Sequence, residues 1–517
     1  MTMRPREFAA AAIVAAVVGV VFPYATLRLG FGPNVSIVST LLGFVVLRAT
    51  GSSGRTSLHV ACTAGVAAGQ TAFMGVALAA FEILRARDPG RFTLHPSAPV
   101  VFAWIGSAGA LGVLAALPLR RHFIEHEKLT FAGGACAAET MLALDRRDGA
   151  QHGRRDIAAL AVSFVCASGF TFLRPAALAV SPLGIGSGML IGLRVAFSMA
   201  LGGAIAHAFP AHLLPWMGAA LVVAGGLTSA LARVPSMLSG IASGHAGASG
   251  ERLARYRMAI AAAGAALLVL CAIDGFALHL SIPMTLASVA LAAPLLLVGT
   301  RVLGETNWAP VLSLATLAQA VLASIDPGNL AGTMVGGALC GAIPNGGQHM
   351  MQSFRAASIV GASARTTAVA QLVGVVIGAL ALSVTYPLLA AAHAGGVVSP
   401  LSEAWATSAE ALARGPSSMP HAMVMAMAAA GAVGVVLALL ERRFGRVMPS
   451  APALGIGMLV PWGLASGVLA GSAAAWIAAR IAPRSTSTRG AAVASGLVAG
   501  EALAACGMAA VTALLGH

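Results

Sequence analysis

The segment best equipped for chemistry spans residues 326–365, a glycine-rich run between long apolar stretches. It brings Gln348, His349, Gln352 and Arg355 close together in the chain. Amide, imidazole and guanidinium groups can hydrogen-bond a polar solute, and a planar guanidinium also matches a carboxylate. We therefore take these four residues as candidate substrate contacts.

The same segment carries two prolines, which predict a broken helix. A broken helix cannot face lipid, because each unpaired backbone group in hydrocarbon costs several kcal/mol. It must be buried in protein or line a cavity. In a protein with many spans, broken helices with polar side chains are typical of a transport path.

Five acidic residues fall at predicted membrane depth: Glu139, Asp274, Glu305, Asp326 and Glu501. A carboxylate there is costly and is retained for a reason. We take Glu139, Glu305, Asp326 and Glu501 as candidate proton-coupling groups. Structural roles compete: an ion pair or helix cap for Glu139, and capping for Glu305 and Asp326. Asp274 is expected to pair with a neighbouring helix, and Glu501 has no evident capping role.

Lys128 and Arg194 complete the candidate substrate contacts, since they lie in or beside the segments expected to be broken. Lys128 is the only lysine of the chain, so arginine-rich composition does not explain it. These cations, with Arg355, could bind a carboxylate-bearing solute or pair with the buried acids.

Motifs for other chemistry are missing from the sequence. His349 has no second metal-ligating residue three or four positions away, so we expect no metal site. The six cysteines sit in apolar segments without a CxxC pair. There is no HExxH, GxSxG or nucleotide-binding motif, so we expect neither an enzyme nor a bound cofactor.

The composition predicts an all-α polytopic membrane protein. Apolar residues make up 58% of the chain and charged residues only 9%, against roughly 25% charged in soluble domains. The apolar runs predict about 14 spans, and 129–145 and 329–361 resemble re-entrant or broken helices. The expectation is therefore about 14–16 transmembrane segments in a lipid bilayer.

The net charge of +14 does not indicate nucleic-acid binding. The basic residues lie in short loops between apolar runs, as in cytoplasmic loops of membrane proteins. Arg4 and Arg6 before the first apolar run predict a cytoplasmic N-terminus.

The chain also contains a weak internal repeat. REFAAAAIVAAVVGVVF from Arg6 resembles RYRMAIAAAGAALLVLC from Arg255, and SPLGIGSGML from Ser181 resembles SAPALGIGML from Ser450. Between them, Gly54-Arg55-Thr56 matches Gly304-Glu305-Thr306, and the stretch around Pro118 matches that around Pro344. We predict two related halves, 1–250 and 251–517, with a substrate site at their interface.

These residues resemble the oligopeptide transporter (OPT) family, in its prokaryotic branch related to yellow-stripe-like transporters. The stretches that carry the resemblance are EKLTFAGGACAAE at 127–139, SPLGIGSGMLIGLR at 181–194, GETNWAP at 304–310, QSFRAASIVGASAR at 352–365 and GLVAGEAL at 496–503. The first resembles the family segment at Lys128, Phe131, Gly134 and Glu139. The fourth resembles it at Gln352, Gly361 and Arg365, with Arg355 in place of the family's lysine.

Four positions depart from the family pattern. Ser353 and His349 stand where the family has acids, and Ala132 and Ala364 where it has prolines. If the family's acids carry protons or contact metal chelates, this chain couples or selects differently.

The resemblance implies proton-coupled uptake of short peptides or metal–chelate complexes by alternating access, across a bacterial inner membrane. A channel, or a transporter of an unrelated solute class, is the alternative. The sequence leaves open whether the protein forms a homo-oligomer.

Overall fold

The structure is a computed structural model that describes residues 5–29, 35–51, 54–145, 151–173, 180–232, 250–394, 399–413, 419–481 and 483–515. Within these ranges the regular structure is helical and contains no strand, which confirms the predicted all-α class. The twenty α-helices are α1 Pro5–Leu29, α2 Val35–Ala49, α3 Arg55–Gly69, α4 Ala72–Arg87, α5 Ala98–Ala116, α6 Ala132–Asp145, α7 Gln151–Leu173, α8 Pro182–Leu190, α9 Leu193–Ala206, α10 Leu214–Leu231, α11 Gly250–Phe276, α12 Ile282–Thr306, α13 Val311–Ile325, α14 Leu330–Val360, α15 Ala364–Ala394, α16 Pro400–Ala413, α17 His421–Phe444, α18 Ala451–Leu459, α19 Trp462–Ile481 and α20 Pro483–Leu515.

Nine helices of the described residues are long and apolar enough to cross a membrane. They are Pro5–Leu27, Arg55–Arg87, Ala98–Leu119, Leu214–Leu231, Arg257–Phe276, Ile282–Thr306, Ala364–Pro387, His421–Phe444 and Trp462–Ile481. Five shorter apolar helices accompany them: Val35–Ala49, Ala158–Leu173, Leu193–Ala206, Val311–Ile325 and Gly490–Ala504. Together they make a polytopic membrane protein.

The outer helices expose large apolar side chains. Val165 and Phe172 of α7, Leu268 and Phe276 of α11, and Val436 of α17 are all more than half exposed. A soluble protein would bury such side chains, whereas hydrocarbon solvates them. These helices therefore present the lipid-facing surface.

Helix α14 is buried along most of its length, and it differs from the expectation for residues 329–361. It runs unbroken for 31 residues with Pro344 inside it, so the predicted break is wrong here. Proline removes one backbone hydrogen bond. At this point α14 is closely packed, since Gly112 of α5 lies directly against the backbone at Ile343 and Gly346.

Residues 129–145, by contrast, do form a short interrupted element. Before α6 the backbone turns sharply, with positive φ at Lys128 (51°) and Phe131 (42°). The helix itself is only 14 residues long. At about 1.5 Å per residue it is too short to cross the hydrocarbon core.

Two further helix breaks separate α8 from α9 at Ile191–Gly192 and α18 from α19 at Val460–Pro461. The two pairs pack on each other reciprocally. Gly188 lies against the carbonyl of Val468, and Gly457 lies against the carbonyl of Met199. Three residues along each helix the contact recurs in the opposite direction. Gly471 lies against the carbonyl of Ile185, and Gly202 lies against the carbonyl of Leu454.

The reciprocal pairs contain the predicted match between Ser181 and Ser450, which begin equivalent nine-residue helices. The match of Gly54-Arg55-Thr56 with Gly304-Glu305-Thr306 has no such counterpart, because the first begins α3 and the second ends α12. Division into halves at residue 250 stays a prediction. Arg4 of the N-terminal prediction lies outside the described residues.

Candidate functional site

A polar stripe runs along α14. Asn345, the adjacent pair Gln348 and His349, Gln352 and Arg355 recur every three or four residues, so they share one side of the helix over about 15 Å. The helix is buried along most of its length. Sequence analysis therefore placed its four candidate contacts on one element, and the structure adds Asn345.

Several atoms of this stripe have no hydrogen-bond partner among the described residues. Both side-chain polar atoms of Gln348 are buried and unpartnered, and so are Nδ1 of His349 and Nε of Arg355. The Gln348 side chain lies against Gly299 of α12, with the side chain of Leu314 beside it. A buried amide without partners is unfavourable by about 1–3 kcal/mol per group. Such a group is explained if water or a substrate pairs with it.

The rest of the stripe is tied to surrounding helices. Asn345 donates to the carbonyl of Gln70 at 3.0 Å, and Gln352 accepts a hydrogen bond from Ser36 at 3.4 Å. At Gln352, Gly134 of α6 lies directly against the α14 carbonyl. A side chain larger than hydrogen at position 134 would collide with that backbone.

The beginning of α6 meets the end of α12 beside this stripe. The backbone N–H of Phe131 donates to Gly304 at 3.1 Å, and Gly133 donates to Oδ1 of Asn307 at 2.7 Å. Asn307 ends α12 in the left-handed conformation, φ 60°, and its Nδ2 donates to Ser187 of α8 at 3.3 Å. One asparagine side chain thus joins α6, α8 and α12.

Glu501 of α20 lies at the beginning of α8. It accepts hydrogen bonds from Ser181 Oγ at 2.9 Å and from the backbone N–H of Leu183 at 2.6 Å. A carboxylate is favoured there by the free N–H groups and the helix dipole. The expectation that Glu501 has no capping role was therefore wrong.

Arg301 of α12 is the centre of a buried charged network. Its guanidinium lies 2.8 Å from Glu127 and 2.9 Å from Glu305, and all three side chains are at most 12% exposed. Glu127 in turn lies 2.9 Å from Nε2 of His122. The network joins α12 to the segment that leads into α6.

Glu305 extends this network to α18, accepting a hydrogen bond from Ser450 Oγ at 3.0 Å. Ser450 begins α18 as Ser181 begins α8. Each of the two short reciprocal helices therefore has a serine at its N-terminus bonded to a glutamate from another helix.

The five stretches quoted for the family resemblance converge on this region, and a comparison with protein families agrees. The sequence profile of the OPT oligopeptide transporter protein family matches residues 3–224 and 216–512. The chain belongs to the OPT family. None of the curated proteins compared with it matches. The members of the OPT family are transporters of oligopeptides or related solutes, so this chain is an integral membrane protein of a transporter family.

Two departures from the OPT pattern have clear structural settings. Ser353, in place of an acid, donates to Gln371 of α15 at 3.1 Å. Ala364, in place of a proline, begins α15. Gly361, which matches the family, ends α14 at φ 85°, a conformation that favours glycine. These positions shape the α14–α15 connection of the OPT fold.

Arg194 lies at the start of α9 and is already engaged. Its Nη2 is 2.8 Å from Glu441 of α17, although the angle falls short of a hydrogen bond, and its Nε donates to the Met448 carbonyl at 2.7 Å. Glu441 also acts electrostatically on Arg301. Arg194 thus borders the charged network and not the α14 stripe.

The other predicted residues lie apart from the stripe or at its edge. Lys128 is exposed in the turn before α6 and has no ion pair with the described residues. Glu139 is half-buried within α6. Asp326 is exposed where α13 ends, and accepts a hydrogen bond from Asn329 at 2.8 Å. Asn329, not Asp326, caps α14 through Gly332.

Sequence reasoning missed Arg301, Glu127 and Asn307. Arg301 was a usable signal, because an arginine four residues before Glu305 suits an ion pair on one helix. The ion pair between Arg301 and Glu127 joins segments that are far apart in the chain, so no local sequence pattern indicates it. Among the described residues no group of three or more His, Cys, Asp or Glu could hold a metal ion.

Proposed function

We propose that this OPT-family member is a proton-coupled symporter of short oligopeptides or metal–chelate complexes, working by alternating access. The observation that carries the proposal is the buried Gln348 amide, whose polar atoms have no partner among the described residues. It lies in the polar stripe of α14, where segments from α6, α8 and α12 meet. A solute with amide or carboxylate groups would supply the missing hydrogen bonds.

The substrate contacts in this proposal are Gln348, His349, Gln352 and Arg355. Arg355 at the end of the stripe suits a substrate carboxylate, since guanidinium and carboxylate pair in two parallel hydrogen bonds. Lys128 and Arg194 belong to the surroundings, the first as an exposed cation and the second as a partner of Glu441. Arg355→Ala is expected to weaken substrate binding, and unchanged affinity would make Arg355 structural.

Proton coupling is assigned to Glu139, Glu305 and Glu501. Glu305 and Glu501 each bind the N-terminus of a short reciprocal helix, so a change in their protonation would alter how that helix is held. Asp326 has no part in this proposal because it is exposed on a turn. Glu139→Gln or Glu501→Gln should lower coupling and leave the fold intact.

Alternating access would move the halves 1–250 and 251–517 relative to one another. The reciprocal packing of α8–α9 with α18–α19 supports two related units, because it repeats the same glycine contacts in both directions. The site would lie in the inner membrane of a bacterium, with the N-terminus cytoplasmic. A channel remains the second candidate, and it would give flux that saturates poorly.

A thermal-shift screen of the purified protein tests the substrate assignment. The protein is heated with di- to hexapeptides and with Fe, Ni, Cu and Zn chelates, at acidic and at neutral pH. A ligand that binds the folded state raises the melting temperature by mass action. A shift with peptides or chelates that is lost in Gln348→Leu supports the proposal. No shift with any member of either panel would contradict it.

A further inference from the structure

Asp274 lies in the last turn of α11 and is completely buried against α5 and α12. Its Oδ2 accepts a hydrogen bond from Thr285 of α12 at 2.9 Å. The indole of Trp104 on α5 lies near the same carboxyl group but does not reach hydrogen-bond geometry. The expectation that Asp274 pairs with a neighbouring helix is therefore met by a hydroxyl group and not by a cation.

No charged side chain of the described residues balances this carboxyl group. Helix α5 has no ionisable side chain. On α12 the first is Arg301, roughly 24 Å along the axis from Thr285. The charged residues of α11 lie at its other end, and one turn before Asp274 comes the thiol of Cys271. His279, in the following turn, is exposed and makes no ion pair with Asp274.

The second carboxyl oxygen, Oδ1, is buried and has no hydrogen-bond partner among the described residues. An ionised carboxylate in this position would be a buried charge without a counter-charge, which proteins avoid by neutralising the group. Binding a proton to Asp274 removes the charge without requiring another partner. In a transporter, a buried acid without a counter-charge is a candidate proton-carrying group.

Helix α12 links Asp274 to the stripe of α14. Thr285 near its start contacts Asp274, and Gly299 near its end lies against Gln348. Pro294 between them removes a helical hydrogen bond and provides a point of bending. A displacement of α12 on substrate binding would therefore change the surroundings of Asp274.

We infer that Asp274 binds a proton in this conformation and is a proton-carrying residue of the transport cycle. The proton adds to the carboxylate from water on one side of the membrane and leaves to water on the other, so charge and atoms balance. The carrier role rests on the proposed symport, whereas the bound proton does not. Neither Asp274 nor this part of the fold was among the candidate coupling groups from the sequence.

Infrared spectroscopy of the full-length protein at neutral pH tests the bound proton. A protonated carboxyl group has a carbonyl stretching band that a carboxylate lacks. We expect one such band to be absent from Asp274→Asn and shifted in Thr285→Val, which removes the hydrogen-bond donor. Asp326→Asn is the matched control, and it should keep the band because Asp326 is exposed on a turn. An unchanged band in Asp274→Asn would overturn the proton site.

Uptake by proteoliposomes tests the carrier role. Asp274→Asn should exchange substrate across the membrane without a gradient, yet lose accumulation driven by a pH gradient. Normal gradient-driven accumulation in this variant would overturn the carrier role. If the wild-type protein took up no substrate, the symport proposal would fail and the carrier role with it. The infrared comparison would still decide whether Asp274 holds a proton.

Discussion

At the scale of single residues, Arg301 is the side chain that holds the buried charged network together, because it pairs with both Glu127 and Glu305. Replacing it with glutamine would leave Glu127 and Glu305 buried without this guanidinium. Removing one partner of a buried ion pair costs about 3–5 kcal/mol. We expect Arg301→Gln to lower the melting temperature markedly in a fluorescence melting experiment.

Arg121→Gln provides the control for Arg301, since Arg121 is exposed and has no ion pair with the described residues. It should melt with the wild type. Equal melting temperatures for the two variants would show that the buried network contributes little to stability.

For Gln348→Leu we expect the opposite effect on stability from that of Arg301→Gln. Gln348→Leu removes two unpartnered polar atoms, so the substrate-free protein should melt at the same or a higher temperature. Gln352→Leu is the matched substitution on the same helix, where loss of the amide leaves Ser36 without its acceptor. It should cost about 1–3 kcal/mol. A large destabilisation by Gln348→Leu would mean that this amide has a structural partner.

At the scale of secondary-structure elements, the N-terminus of α8 depends on Glu501. Glu501→Ala would leave Ser181 and the N–H of Leu183 without their acceptor, for a loss of about 1–3 kcal/mol. Glu501→Gln keeps an acceptor oxygen and should lose less. The melting temperatures of the two variants measure this difference. Equal losses of stability would mean that the negative charge of Glu501, and not its acceptor oxygen, stabilises the N-terminus of α8.

The reciprocal helix pairs predict a second effect at this scale. A methyl group at Gly188 would meet the carbonyl of Val468, and one at Gly457 would meet that of Met199. Backbone atoms cannot move aside cheaply, so Gly188→Ala and Gly457→Ala should both lower the yield of monodisperse protein on size-exclusion chromatography.

Gly264→Ala on the exposed side of α11 is the matched control, because no neighbouring atom lies within 4 Å of the added methyl group. It should behave as the wild type, or slightly better, since alanine favours helices. Normal behaviour of both Gly188→Ala and Gly457→Ala would argue against the close approach of the two pairs.

At the scale of the whole molecule, composition and apolar periodicity were enough to predict an all-α membrane protein. The polar residues of α14 could also be chosen from sequence, because such side chains are rare in apolar segments. The continuity of α14 through Pro344 could not, since a proline in an apolar segment predicts a break and the close contact with Gly112 of a distant helix leaves no local pattern. The Arg301–Glu127 ion pair and the hydrogen bonds of Asn307 to Gly133 and Ser187 likewise form only when separate segments meet.

The most direct test of the central claim is uptake by proteoliposomes that contain the purified protein. Wild-type, Gln348→Leu and Arg121→Gln proteins are compared with and without an inward pH gradient, using peptides and chelates that raise the melting temperature. We expect accumulation driven by the gradient in the wild type and in Arg121→Gln, and its loss in folded Gln348→Leu. Equal accumulation by Gln348→Leu would contradict the account.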